Sequence, residues 1–274
     1  MNAKPRNRKR RMSKTLDGKV AIVTGSTSGI GYGIADHLAA RGCDVVLNGI
    51  MEEPEARKLA SALSSKWRRK VRFHGANMLE ADQIEDLIRF AKQDLGSVDI
   101  LVNNAGIQHT APVEEFPVSK WDAIIGINLS SCFHAIQHAL PVMKASGWGR
   151  IINIASTHGL VASKHKAAYV AAKHGLVGLT KVVALETAEL DITVNAICPG
   201  WVRTPLVEAQ ISARAKELSI SQEEAAKLLL AEKQPSLKFT EVEDLGEAAA
   251  YLASNAARNM TGCVLTLDGG WTAQ

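Results

Sequence analysis

From Lys19 onward, short, mainly apolar runs alternate with longer stretches in which apolar residues recur three or four positions apart. Residues 20–23, 45–47, 71–73, 100–102, 151–154, 194–197 and 264–267 form the short runs. Mainly apolar runs of this length predict strands buried on both faces, as in a parallel sheet covered by helices. Between them, Ile30, Ile34 and Leu38, or Ile84, Leu87, Ile88 and Leu95, form stripes with helical spacing. Gly42 is placed to end the first helix, and Asp44 starts the return to the sheet. Strand and helix in regular alternation predict an α/β fold, one doubly wound domain with a seven-stranded parallel sheet.

The alternation is suspended twice. Residues 1–14 have no apolar periodicity and carry Lys4, Arg6, Arg8, Lys9, Arg10, Arg11 and Lys14 ahead of any acidic residue. They predict a basic, disordered tail, with the domain at 15–274. Because the whole chain is only +4, the domain itself is net negative, which argues against nucleic acid as its partner. The second break, at about 204–235, is polar, rich in Ala and Glu and helical in tendency. Leaving the carboxyl edge of the sixth strand, it is expected to be a substrate lid.

No apolar run approaches the roughly 20 residues of a membrane-spanning helix, and no secretory leader is seen, so no membrane partner and a cytoplasmic location are expected. Cys43, Cys132, Cys198 and Cys263 are scattered without metal or redox spacing, so no metal site is expected.

The first strand runs into Thr24-Gly25-Ser26-Thr27-Ser28-Gly29-Ile30-Gly31, which opens a helix. Gly25 permits a tight turn, Gly29 lets backbone amides approach a pyrophosphate, and Gly31 allows close packing of helix on strand. A dinucleotide is therefore expected in a Rossmann-type site. After the second strand, Asn48-Gly49-Ile50-Met51 offers no carboxylate for a ribose and no cation for a 2′-phosphate, and Ser28 offers no cation either. This favours NAD over NADP.

Tyr169 and Lys173 stand four residues apart, on one face of a helix. An ammonium beside a phenol, together with a positive nicotinamide ring, is expected to favour the phenolate, so that Tyr169 takes a proton from an alcohol as hydride departs. Ser156 follows the fifth strand, where its hydroxyl can hold the same oxygen. Asn128, within a helix, is positioned to fix a water near Lys173.

These residues, with Asn103-Asn104-Ala105-Gly106 and Pro199-Gly200, stand in an order and spacing that resemble the short-chain dehydrogenase/reductase family over residues 16–274. The resemblance implies a catalytic tetrad of Asn128, Ser156, Tyr169 and Lys173, and a homotetramer. It also implies a cofactor site formed by Gly25, Thr27, Ser28, Gly29, Ile30, Asn77, Met78, Asn104, Ala105, Gly106, Tyr169, Lys173, Pro199, Gly200 and Val202. Many members have an acidic residue where this chain has Asn77, whose amide oxygen can accept the same adenine hydrogen bond.

Within the family, Gly106-Ile107-Gln108-His109, the run from Ser156 to Ser163, Lys166 and Pro199-Gly200-Trp201-Val202 resemble bacterial members that interconvert D-3-hydroxybutyrate and acetoacetate with NAD. That likeness implies a carboxylate held by Gln108, His158, Lys166 and Gln210, with Trp201 and Trp271 shaping the pocket. The alternatives are an NADPH-dependent 3-oxoacyl-carrier-protein reductase and a non-catalytic NAD-binding protein.

Overall fold

A computed structural model describes residues 15–273; the basic segment 1–14 lies outside the described residues. The strands are β1 Val20–Val23, β2 Asp44–Asn48, β3 Val71–His74, β4 Ile100–Asn103, β5 Gly149–Ile154, β6 Ile192–Pro199 and β7 Val264–Leu267. They form one seven-stranded sheet in the order β3-β2-β1-β4-β5-β6-β7. Every neighbouring pair is parallel. The chain winds outward from β1 to β3 and then restarts at β4 on the other side of β1. The crevice beyond the carboxyl ends of β1 and β4 is thus the switch point at which such sheets bind ligands.

The helices are α1 Gly29–Ala40, α2 Glu53–Trp67, α3 Ala81–Leu95, α4 Val118–Ile125, α5 Ser131–Ser146, α6 Ala167–Glu186, α7 Pro205–Leu218, α8 Gln222–Ala231 and α9 Val242–Ala253. Ile34, Leu38, Val45, Leu47, Leu245 and Leu252 belong to the core on one side of the sheet, and Ile22, Val46, Ile84, Leu87, Leu101 and Ile151 to the other. α1 ends at Ala40, and Gly42 follows with φ of 105°, a backbone shape natural to glycine.

One helix corrects the expectation that nothing approaches a membrane span. By length and composition α6 would qualify, with a mean hydropathy of 1.2 across an 18-residue window. It is instead a core helix, burying Ala168, Ala172, Leu176, Val177 and Val183. A buried polar ladder fixes its register on the sheet: Asn103 Nδ2 donates to Asn153 Oδ1 and Asn153 Nδ2 to Thr180 Oγ1, each at 2.8 Å. Thr180 then donates to Leu176 O at 2.8 Å.

The break after β6 is a helical hairpin. α7 and α8 bury Val207, Ile211, Ala215, Ala225 and Leu229 against each other, with Trp201 and Phe239 beside them. Its two roots are tied together, since Thr240 N donates to Trp201 O at 2.9 Å and Trp201 N to Gln234 Oε1 at 2.9 Å.

Candidate active site

Two adjoining cavities lie over the switch point. The first is lined by Gly25, Thr27, Ser28, Gly29, Ile30, Asn77, Met78, Asn104, Ala105 and Gly106. Its glycines are there for want of room. A Cβ on Gly31 would stand 2.4 Å from both Asn104 Nδ2 and Gly25 O, and one on Gly25 would stand 2.8 Å from Ala105 Cα. Asn104 ties the loop to β4, donating to Thr24 O at 2.8 Å and Gly25 O at 2.9 Å. Its amide is thus a tether of the cleft as well as part of the wall.

Asn48 is fully buried; its amide donates to His74 O and Ala76 O, and its Oδ1 accepts from Gly25 N at 3.2 Å. It is spent on joining three strand ends. No Lys, Arg, Asp or Glu lines this cavity among the described residues. The Asn77 oxygen is also engaged, accepting from Leu79 N at 3.1 Å, so any adenine contact would use its second lone pair. The cleft fits a dinucleotide: an uncharged wall, a glycine-lined approach and the amino end of α1.

The second cavity, about 210 Å³, brings together Gln108, Ser156, His158, Lys166, Tyr169, Lys173, Trp201, Gln210 and Trp271, with Pro199, Gly200 and Val202 beside them. It shares Ile30, Asn104 and Gly106 with the first. Residues from β5, α6, the β6 end and the hairpin therefore converge where a redox centre held in the first cavity would reach.

The spacing of Tyr169 and Lys173 on α6 gives the expected shared face, with Lys173 Nζ 5.6 Å from the phenol ring centre. Lys173 is buried and donates to Ile154 O at 2.7 Å. The phenolate expectation is corrected for this protein by itself. Burial pushes the Tyr169 phenol above its usual 10.0, with the Ser156 hydroxyl pulling the other way. Burial also pulls the Lys173 ammonium below 10.5.

Asn128 stands one layer behind the cavity lining. It sits in a π-helical turn, Gly126–Ser130, between α4 and α5, and does not line the cavity. Its amide is committed to one backbone unit, Oδ1 accepting from Ile107 N at 2.9 Å and Nδ2 donating to Ile107 O at 3.0 Å. Through these two bonds it shapes the Gly106–Gln108 wall.

Lys166 stands just before α6, at its N-cap. The turn that delivers it uses His165 at φ of 66°, a left-handed backbone costing about 1 kcal/mol outside glycine. His165 O, accepting from Ala111 N at 3.0 Å, holds that turn. Lys166 Nζ lies 5.6 Å from the Trp201 ring centre, and burial alone lowers its pKa from 10.5; no carboxylate pairs with it among the described residues.

His158 lines the pocket in a form unlike a cation. Burial, reinforced by Lys166, Lys233 and His174, brings its pKa from 6.5 to about 4, so it is neutral at pH 7. Its ring meets Tyr169 and Trp271 edge-on, with centroids 5.8 and 5.3 Å away. Both ring nitrogens face hydroxyls: Nδ1 lies 3.4 Å from Ser156 Oγ and Nε2 2.9 Å from Ser163 Oγ. His109, one residue after Gln108, instead packs against Phe116.

Sequence spacing gave no sign of Ser163, Thr204 or Val207 at the site. Ser163 acts through a loop, where no periodicity applies, while Thr204 and Val207 reach the cavity only because the hairpin folds back over it.

The short chain dehydrogenase family matches residues 19–215. D-beta-hydroxybutyrate dehydrogenase of Cupriavidus necator is 56% identical over 259 residues, 94% of this chain and 100% of that protein. The D-beta-hydroxybutyrate dehydrogenase of Rhizobium meliloti is 50% identical over 256 residues, 93% of this chain and 99% of that protein. Among solved structures, an actinorhodin polyketide ketoreductase with NADPH superposes with a TM-score of 0.87 at 34% identity, covering 96% of this chain and 100% of that one.

Proposed function

Because the chain belongs to the short-chain dehydrogenase family and is an oxidoreductase, we propose that it oxidises D-3-hydroxybutyrate to acetoacetate, reversibly, with NAD as the hydride acceptor. The observation that carries the substrate is the half-buried Lys166 ammonium, which has no carboxylate partner among the described residues and shares one cavity of about 210 Å³ with Tyr169 and Ser156. A small hydroxy acid offers little apolar area, so its charged end must supply most of the hold, through charge-assisted hydrogen bonds. Gln108 and Gln210 add amide donors at that end, neutral His158 offers shape and polarity, and Trp201 and Trp271 close around the methyl. Gln210 rides on α7, so a bound carboxylate draws the hairpin against the pocket and excludes water.

Tyr169 Oη takes the proton of the substrate hydroxyl in oxidation and returns it in reduction, while Ser156 donates a hydrogen bond to the same oxygen. Lys173 keeps a positive charge beneath the phenol and favours its ionised form. Asn128 contributes by holding Ile107, and with it the Gly106–Gln108 wall. When bound, the nicotinamide supplies the hydride acceptor and a positive ring near Tyr169. NAD is favoured because no cation in the first cavity, among the described residues, would neutralise a 2′-phosphate.

We propose also a cytoplasmic location and a homotetramer; for the latter, exposed Phe133 on α5 and Val182 and Leu185 on α6 offer apolar surface that a second copy would cover. Sedimentation of the purified full chain tests the tetramer.

Absorbance of reduced nicotinamide is the direct assay of function, with each enantiomer of 3-hydroxybutyrate and each oxidised cofactor. Turnover of the D form with NAD is expected. No turnover, a preference for NADP, or equal use of the uncharged 2-butanol would overturn the assignment.

A further inference from the structure

Ser163 lies outside every role assigned above, yet it makes a direct polar contact to the ring beside the reacting hydroxyl, 2.9 Å from His158 Nε2. The imidazole plane is set by edge-on packing against Tyr169 and Trp271. What the packing does not set is which ring nitrogen of the neutral imidazole carries the proton, and that choice decides which way Ser156 points its own proton.

Ser156 Oγ accepts from the His158 backbone N–H at 3.2 Å and has His158 Nδ1 at 3.4 Å. If Nδ1 carries the proton, both lone pairs of the hydroxyl are occupied by N–H donors, and Ser156 can only donate outward. If Nε2 carries it, Ser156 donates to Nδ1 and meets the substrate with a lone pair. It would then compete with Tyr169 for the proton that the reaction must move.

We propose that Ser163 is a positioning residue that selects the first state: its hydroxyl donates to His158 Nε2, Nδ1–H donates to Ser156 Oγ, and Ser156 presents its proton to the reacting oxygen beside Tyr169. The chain Ser163, His158, Ser156 runs in one direction and carries no net charge, as befits a ring sharing its pocket with Lys166. Its consequence for turnover rests on the dehydrogenase chemistry proposed above; the tautomer itself does not.

Nitrogen-15 spectra of the substrate-free full chain, labelled at histidine, read the tautomer directly, with the His158 signals identified by their loss in His158→Gln. Nδ1–H is expected in the parent protein and Nε2–H, the form histidine favours in water, in Ser163→Ala. In the hydroxybutyrate assay, Ser163→Ala is expected to lower kcat about tenfold, the worth of one hydrogen bond, with KM within about twofold. Ser163→Thr, which keeps the hydroxyl, is expected to restore both the tautomer and the rate. An Nε2–H imidazole in the parent protein, or an unchanged tautomer and kcat in Ser163→Ala, would overturn the inference. An Nδ1–H ring in a protein that turns over no hydroxybutyrate would sink the assigned substrate and leave the Ser163 assignment standing.

Discussion

His158 gives the sharpest quantitative expectation, because burial holds it neutral. Its pKa falls from 6.5 to about 4 on folding, about two and a half pH units, or about 3 kcal/mol between its two protonation states. The sign follows from which state binds the extra proton. Between those two values the unfolded chain is protonated at this ring and the folded protein is not, so stability rises with pH there. The contribution is whole above the unfolded value and is lost as pH falls towards about 4, with roughly 2.5 kcal/mol gone by about pH 4.5. Carboxylates titrate over the same range, so the comparison is between the parent protein and His158→Gln, each unfolded in urea at about pH 7.5 and about pH 4.5. The variant should lose about 2.5 kcal/mol less stability on acidification than the parent. Parallel losses in the two proteins would mean that His158 is not buried neutral, and its place in a neutral hydrogen-bond chain would fall with that.

Lys166→Ala removes the only ammonium proposed for the carboxylate and should raise KM for hydroxybutyrate by about tenfold to a hundredfold with a smaller effect on kcat, whereas Gln210→Ala should affect both constants because it also loosens the hairpin. Steady-state kinetics separate the two, and an unchanged KM in Lys166→Ala would remove the tether. Gly31→Ala puts a Cβ 2.4 Å from Asn104 Nδ2 and from Gly25 O, so the phosphate loop must shift; dinucleotide affinity, read by fluorescence titration, should fall by about a hundredfold. Thr180→Val strands the buried Asn153 amide and should cost about 1–3 kcal/mol in urea unfolding, and an unchanged stability would refute the role of the Asn153 ladder.

Legibility from sequence followed how local each cause was. The seven strands were readable because each centres on a mainly apolar run, interrupted only at Arg72, Asn153, Asn195 and Thr266, and the fold needed only their alternation with helices. The ends were less plain. β6 runs from Ile192 to Pro199, past its apolar centre at 194–197, and β2, β4 and β5 carry Asn48, Asn103 and Asn153. Those asparagines look like surface residues until their partners, many positions away in the chain, are known. At the site, Tyr169 and Lys173 were legible because both lie on one helix at a fixed spacing. Lys166 depended on where that helix starts, and the left-handed turn at His165 decides it. The Asn128 contact was not legible because its partner is the backbone of Ile107, 21 residues earlier. The raised phenol was not legible because an i,i+4 spacing shows a neighbouring charge but not how much water has been lost.

That loss of water unifies the electrostatics of the pocket. Burial is the largest influence on all four titrating groups: it lowers Lys166, Lys173 and His158 and raises Tyr169, in each case against the charged form. A cavity that resists charge in every group it contains gains most from a ligand that brings the opposite charge, since Coulomb attraction is strongest where solvent screens least. A carboxylate beside Lys166 would stabilise the ammonium and a cationic ring beside Tyr169 would favour the phenolate, so each ligand would lessen the penalty that burial imposes on one group. An uncharged alcohol of the same size would fill the volume and leave Lys166 as it was. On this physical ground, the proposed selection for a small acid would come from a desolvated cation without a carboxylate partner among the described residues.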